Sequence, residues 1–127
     1  MHNIHATAIK LKGKGVLILG KSGSGKSDVA LRAIINHRAK LIADDRVNYE
    51  NGIAYAVDSL KGLLEVRGVG IIKLPYIKKQ KIDLVVELST DIERMPEPEF
   101  YENIRKIKIN PFEISAIEKI IIALDYS

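Results

Sequence analysis

Apolar positions in this chain fall into short runs rather than long stripes, and their spacing predicts a strand-rich α/β domain built around one helix. His5-Ala6-Thr7-Ala8-Ile9-Lys10-Leu11 is short and partly alternating. Gly13 and Gly15 interrupt it before the run Val16-Leu17-Ile18-Leu19, so the two segments read as a hairpin. From residue 27 to about 38 the period changes. Val29, Ala30, Ala33 and Ile34 recur at helical spacing, and Leu31 and Ile35 widen an apolar face suited to packing on a sheet. Leu41-Ile42-Ala43 predicts a short buried strand. Asn51-Gly52, between Val47-Asn48-Tyr49 and the apolar residues 53–57, is the strongest two-residue hairpin signal available. Further strands are expected at 84–88, 107–109 and 119–124; in the last, β-branched Ile120-Ile121-Ile122 without a clear polar face favours strand over helix. Pro96 and Pro98 make residues 95–99 a loop.

One junction in this pattern carries chemistry. The strand Val16-Leu17-Ile18-Leu19 runs into Gly20-Lys21-Ser22-Gly23-Ser24-Gly25-Lys26-Ser27, and a strand followed by GxxxxGKS is a loop built to hold a polyphosphate. Its glycines let consecutive N–H groups converge on phosphate oxygens, and the helix starting near Lys26 points its positive end at the same place. Lys26 is expected to reach the β- and γ-phosphates, and the Ser27 hydroxyl to ligate Mg²⁺. Asp44-Asp45 ends an apolar strand eighteen residues after Lys26, where open α/β sheets place their chemistry. Such carboxylates hold Mg²⁺ or accept the proton of an attacking hydroxyl; otherwise they form an ordinary Asx-turn. In Leu64-Glu65-Val66-Arg67-Gly68-Val69-Gly70, Glu65 and Arg67 share a face if the segment is extended. One can then serve a metal and the other phosphate charge, or the two form a surface ion pair beside a strand bend.

Composition narrows the field. A chain of 127 residues predicts a single domain, 1–127, without room for a separate substrate domain. There is no cysteine, which excludes disulfides and cysteine-based metal or nucleophile sites. Neither a signal peptide nor an apolar run of membrane-spanning length is legible, so the expected location is cytoplasmic, with no membrane partner. The net charge of +4 is modest, and the lysines between Lys73 and Lys81 have few aromatics among them, so nucleic acid is not an expected partner.

Taken in order, these motifs resemble the HPr kinase/phosphorylase family. The resemblance runs from Ile4 to about Ile72. It rests on Ile4-His5, Gly15-Val16-Leu17-Ile18-Leu19-Gly20, the phosphate loop, Leu41-Ile42-Ala43-Asp44-Asp45-Arg46-Val47, and Leu63-Leu64-Glu65-Val66-Arg67-Gly68-Val69-Gly70-Ile71-Ile72. It implies a P-loop domain of HPr kinase type: a strand-rich mixed sheet with one main helix after the phosphate loop. It also implies an ATP- and Mg²⁺-dependent protein serine kinase acting on HPr, the small phosphocarrier protein of the sugar phosphotransferase system. Pyrophosphate is an alternative donor in some members, a reverse phosphorylase activity is known in the family, and members form hexamers. Carried over by position, the resemblance makes Lys26 a phosphate ligand, Ser27 and Glu65 Mg²⁺ ligands, and Asp45 the proton acceptor in the forward direction. His5 matches an active-site histidine, while Arg94, in Asp91-Ile92-Glu93-Arg94, falls where the family has a catalytic arginine. Residues 20–27, Asp44 and Arg67 complete the expected nucleotide site.

Three departures from the family pattern shape the expectation. The chain resembles a short form consisting of the C-terminal kinase domain only, so the N-terminal domain of the longer enzymes is not expected. The segment after Ile72 is shorter, with Lys78, Lys79 and Lys81 where longer members carry an arginine-bearing loop. Ile109-Asn110-Pro111-Phe112-Glu113 replaces a Pro- and Arg-containing stretch linked to dephosphorylation, and the chain stops at Ser127 before helices that help hold HPr. Kinase activity is therefore expected to exceed phosphorylase activity, with Glu113 repelling phosphate if it faces the site and Lys106 and Lys108 turned to solvent. Two other functions are compatible with a phosphate loop: a nucleotide- or phosphate-sensing regulator without turnover, and a small-molecule kinase, which the sparse arginines after Arg67 disfavour.

Overall fold

Side chains alternate between the two faces along a strand, and this chain uses the alternation to bury both faces of its main sheet. The computed structural model describes residues 1–125; the chain end at Ser127 lies outside them. In chain order the elements are β1 (His2–Ile4), β2 (Thr7–Leu11), β3 (Lys14–Leu19), α1 (Lys26–His37), β4 (Lys40–Ala43), β5 (Val47–Glu50), β6 (Ile53–Tyr55), β7 (Leu63–Val66), β8 (Gly70–Lys73), β9 (Lys79–Leu88), β10 (Glu99–Tyr101), β11 (Ile104–Ile109) and α2 (Ala116–Asp125). Nine strands form one mixed sheet in the order β1-β5-β6-β9-β3-β2-β4, with β11 on β9 and β10 on β11. β7 and β8 form a separate hairpin.

β9 joins two sub-sheets. Lys79, Gln80 and Lys81 pair antiparallel with β6, whereas from Ile82 onward β9 runs parallel to β3, and Val85 to Leu88 also run parallel to β11. On one face of the larger sub-sheet Ile9, Val16, Ile18, Leu41, Leu84 and Val86 pack under α1 and α2. On the other, Ala8, Leu17, Ile42 and Val85 pack with Val47, Tyr49 and Ala54 of the small antiparallel sheet. Gly15 sits where β3 crosses closest to β9, at a bulge between Gly15 and Val16. A Cβ there would collide with the Lys81 carbonyl, so Gly15 lies inside the strand and does not end the preceding one.

The β2–β3 hairpin, the helix after the phosphate loop, the strand at Leu41-Ile42-Ala43 and the Asn51-Gly52 hairpin follow the sequence reading. In the last, Asn51 and Gly52 both have positive φ, as a two-residue primed turn requires. One expectation is overturned: residues 119–124 belong to α2, not to a strand. Starting the window at Ala116 exposes the helical period, because Ala116, Ile117, Ile120 and Leu124 are buried while Glu118 and Lys119 are exposed. Packing on α1 and β9 outweighs the small helix penalty of three isoleucines. β1 and β10 were not legible at three residues each, and Glu99 opens β10 instead of ending the proline loop.

Candidate active site

Pairing of β1 with β5 and of β2 with β4 forces the chain to cross from one sub-sheet to the other twice, at His5-Ala6 and again at Asp44-Asp45-Arg46. The crossings lie side by side: His5 Nε2 is 3.1 Å from Asp45 Oδ1. Asp45 turns the chain with φ of +70°, a left-handed conformation that Asp and Asn tolerate better than most residues. This leaves its carboxylate exposed, whereas Asp44, one residue earlier and still on the end of the larger sub-sheet, is buried.

Asp44 is the hub of the site. It accepts hydrogen bonds from Thr7 Oγ1 at 2.8 Å, from Ser27 Oγ at 2.8 and 2.9 Å, and a long one from the Glu65 N–H at 3.4 Å. A buried carboxylate is costly without such donors. Satisfied by them, it ties β2, α1, β4 and β7 together at one point. Because Ser27 spends its proton on Asp44, its oxygen lone pairs stay available to a cation.

The phosphate loop sits against this hub. Gly25 begins α1 at φ +102° and no side chain caps the helix, so the first-turn N–H groups open onto the loop. Lys26 is 6% exposed and its ammonium donates to the carbonyls of Gly20, at 2.9 Å, and Lys21, at 3.0 Å. Burial pushes its pKa below the ordinary 10.5, while the charges of Asp44 and Asp45 pull it back up. A phosphate arriving here meets a preformed cation that also has protein acceptors to leave.

His5, Ser22, Gly23, Gly25, Lys26, Ser27, Asp45, Glu65 and Arg67 line one cavity of 610 Å³. These are most of the residues singled out from the sequence, with Asp44 bonded beneath. Gly20, Lys21 and Ser24 face a second cavity of 700 Å³ on the other side of the loop. Arg94 lies apart from both, exposed on the segment between β9 and β10. Hydroxyl and carboxylate oxygens suit a hard divalent ion such as Mg²⁺, and Ser27, Asp45 and Glu65 present such donors around one space. Among the described residues no three carboxylate or imidazole groups form a ready-made cage, and a Mg²⁺ ion held by Ser27 and Glu65 would need further oxygen ligands from outside the chain.

Sequence reasoning missed two residues. Thr7 is fully buried beneath Asp44; its signal was a hydroxyl at an inward position of an otherwise apolar strand. Arg32 on α1 donates to the carbonyls of Pro111, at 2.6 Å, and Glu113, at 3.1 Å, fixing the segment after β11 beside the loop. Of the charges expected around dephosphorylation, Lys108 is turned to solvent as expected and Lys106 is not. Glu113 pairs with Lys119 at 3.0 Å instead of facing either cavity. Lys106 pairs with Glu87 at 2.9 Å and Glu99 at 3.3 Å, while Lys108 is exposed.

A parallel strand entering a glycine-rich turn, a lysine and serine opening the next helix, and a carboxylate from the end of β4 on that serine make this a domain of P-loop type. Within that class the chain belongs to the HPr serine kinase C-terminal domain family, whose pattern matches residues 1–121. It is 44% identical over 99 residues to the HPr kinase/phosphorylase of Lactobacillus delbrueckii subsp. bulgaricus, covering 68% of this chain and 31% of that one. To the HPr kinase/phosphorylase of Peptoclostridium acidaminophilum it is 33% identical over 109 residues, covering 80% and 35%. The chain thus spans about a third of the length of these curated relatives. A solved structure, the HPr(Ser) kinase/phosphatase of Coxiella burnetii, superposes with a TM-score of 0.77 over 99% of this chain and 89% of that one, at 22% identity, which shows the shared fold.

Proposed function

We propose that this domain is an ATP- and Mg²⁺-dependent protein serine kinase that phosphorylates the regulatory serine of HPr. The observation that carries the proposal is the division of labour at the seam: a buried Asp44 holding Ser27, and an exposed Asp45 in the same cavity as Lys26. Lys26, the loop N–H groups and the α1 N-terminus hold the donor phosphates, and Arg67 adds positive charge from the β7–β8 turn. Ser27 and Glu65 hold Mg²⁺, which when bound neutralises charge on the phosphates. Asp45 accepts the proton of the acceptor serine as its oxygen bonds to the γ-phosphorus, and the bond to the β,γ-bridging oxygen breaks to release ADP. His5, against Asp45, orients that carboxylate. Arg94 reaches this chemistry only if the segment between β9 and β10 moves.

Pyrophosphate is a second donor on this reading, since it presents the same adjacent phosphates to the loop. The reverse reaction, attack of inorganic phosphate on phosphoserine, is proposed to be slow because it needs two dianions held at once, and Lys106 is already paired. The proposed setting is the cytoplasm, in a homo-oligomer; among the described residues no helix is long and apolar enough to cross a membrane. Incubation with γ-labelled ATP, Mg²⁺ and purified HPr, followed by mapping of the label, tests the proposal. Label on one HPr serine is the expected result. Nucleotide binding with no transfer would instead make the domain a sensor without turnover.

A further inference from the structure

Phe112 is 78% exposed, yet nothing about its backbone is loose. Its N–H donates to Asn110 Oδ1 at 2.9 Å, and the carbonyls on either side of it, of Pro111 and Glu113, are both held by Arg32. Pro111 is buried beside the phosphate loop, where a Cβ on Gly25 would lie 3.6 Å from it. The braced segment therefore holds the Phe112 ring out as a fixed, flat apolar surface beside the phosphate loop.

The ring stands at the shared edge of the two cavities, which have Gly23, Pro111 and Phe112 in common. The first contains the acids, Lys26 and Ser27. The second opens at the carboxyl ends of the parallel strands β3, β9 and β11, the place where open α/β sheets take ligands. Leu19 and Leu88 line it with apolar surface, and Ser89 and Thr90 add hydroxyls. Ser24 also lines it, with its Oγ turned in against Gly20.

We propose that the second cavity is the nucleoside site of the phosphate donor, with the base stacked on Phe112. The proposal rests on the reading of the first cavity as the site of the transferred phosphate and metal. A polyphosphate with its terminal group beside Asp45 runs along the loop and emerges at Phe112. Stacking tolerates any base, so it separates nucleotides from pyrophosphate and does not choose among nucleotides.

Calorimetric titration with Mg²⁺ and either ATP or tripolyphosphate, which has the same phosphates and no nucleoside, tests this. In Phe112→Ala, ATP affinity is expected to fall about tenfold and tripolyphosphate affinity to change by less than about twofold. Phe112→Trp, which gives the chain its only tryptophan, is expected to keep ATP affinity and to be quenched by ATP but not by tripolyphosphate. Equal losses for both ligands in Phe112→Ala, or no loss for either, would overturn the nucleoside site while leaving the phosphate site standing. Failure of the unmodified domain to bind either ligand would overturn the phosphate site and the nucleoside site together.

Discussion

The two sub-sheets that share β9 are built on different rules. In the larger one, strands are buried on both faces: every residue of β2 except Lys10 is buried, as are Gly15 through Ile18 of β3 and Leu41 through Ala43 of β4. In the smaller one, β5 alternates, with Val47 and Tyr49 inward and Glu50 exposed. A doubly covered sheet holds a polar group only if it is fully hydrogen-bonded, whereas a one-sided sheet can leave it to water. Asp44 and Asp45 straddle that boundary. One carboxylate is therefore a fixed structural hub and the next is free to act on a ligand, and the difference arises from which sub-sheet each residue belongs to.

The comparison breaks first at Asp45. Asp45→Asn keeps a residue that tolerates positive φ and removes the proton acceptor. Phosphoryl transfer to HPr should drop by roughly two orders of magnitude or more, with nucleotide affinity changed by only a few fold. Transfer at the parental rate would mean that the exposed acid is not the base. Lys26→Ala comes next. Loss of a charge-assisted contact should weaken both ATP and pyrophosphate by roughly 10- to 100-fold in calorimetry, because both use the same cradle. Unchanged binding would remove the loop from the site.

Thr7→Val sharpens the contrast from the buried side. Valine keeps the shape but withdraws one of the donors on Asp44, a loss of about 1.5–3 kcal/mol for a hydrogen bond to a charged group. Because Asp44 also positions Ser27, the expected readout is a higher Mg²⁺ requirement for transfer, with the rate falling about tenfold at limiting metal and partly recovering at saturation. Thr7→Ser restores the hydroxyl and should restore the metal requirement. If the variant loses thermal stability and its metal dependence is unchanged, Thr7 is structural only.

Legibility followed the same division. The phosphate loop was readable because its parts are consecutive, and the Asn51-Gly52 turn because two residues decide it. Asp44 and Asp45 were visible as a pair, but their opposite environments were not, since those depend on strand pairing across the sheet. Thr7 to Asp44 spans 37 positions and Arg32 to Pro111 spans 79, and neither contact has a local pattern. α2 was misread because its three consecutive isoleucines were weighed without Ala116 and Ile117, which complete the buried stripe. Arg94 was aligned by resemblance across a shortened segment, and the structure places it apart from the residues it was grouped with.

The smallest effect is expected in the one-sided sheet, at Tyr49. Its ring is buried against Tyr101, centroids 6.0 Å apart and edge-on at 67°, and its hydroxyl donates to Glu102 at 3.1 Å. Burial first, then the bond to Glu102, pushes the phenol from its usual 10 up to about 12. A phenol whose folded pKa is raised favours the folded state while protonated. Its contribution is whole below pH 10 and is lost as pH rises through about 12, because the unfolded chain gives up that proton first. Thermal melts of the parental domain should therefore decline above pH 10, and those of Tyr49→Phe should decline less steeply. At neutral pH the variant loses only the bond to Glu102, about 1 kcal/mol, and transfer to HPr should stay at the parental rate. A transfer defect in Tyr49→Phe at neutral pH would show that the small sheet communicates with Asp45 across the seam, and the separation between the two sub-sheets would no longer hold.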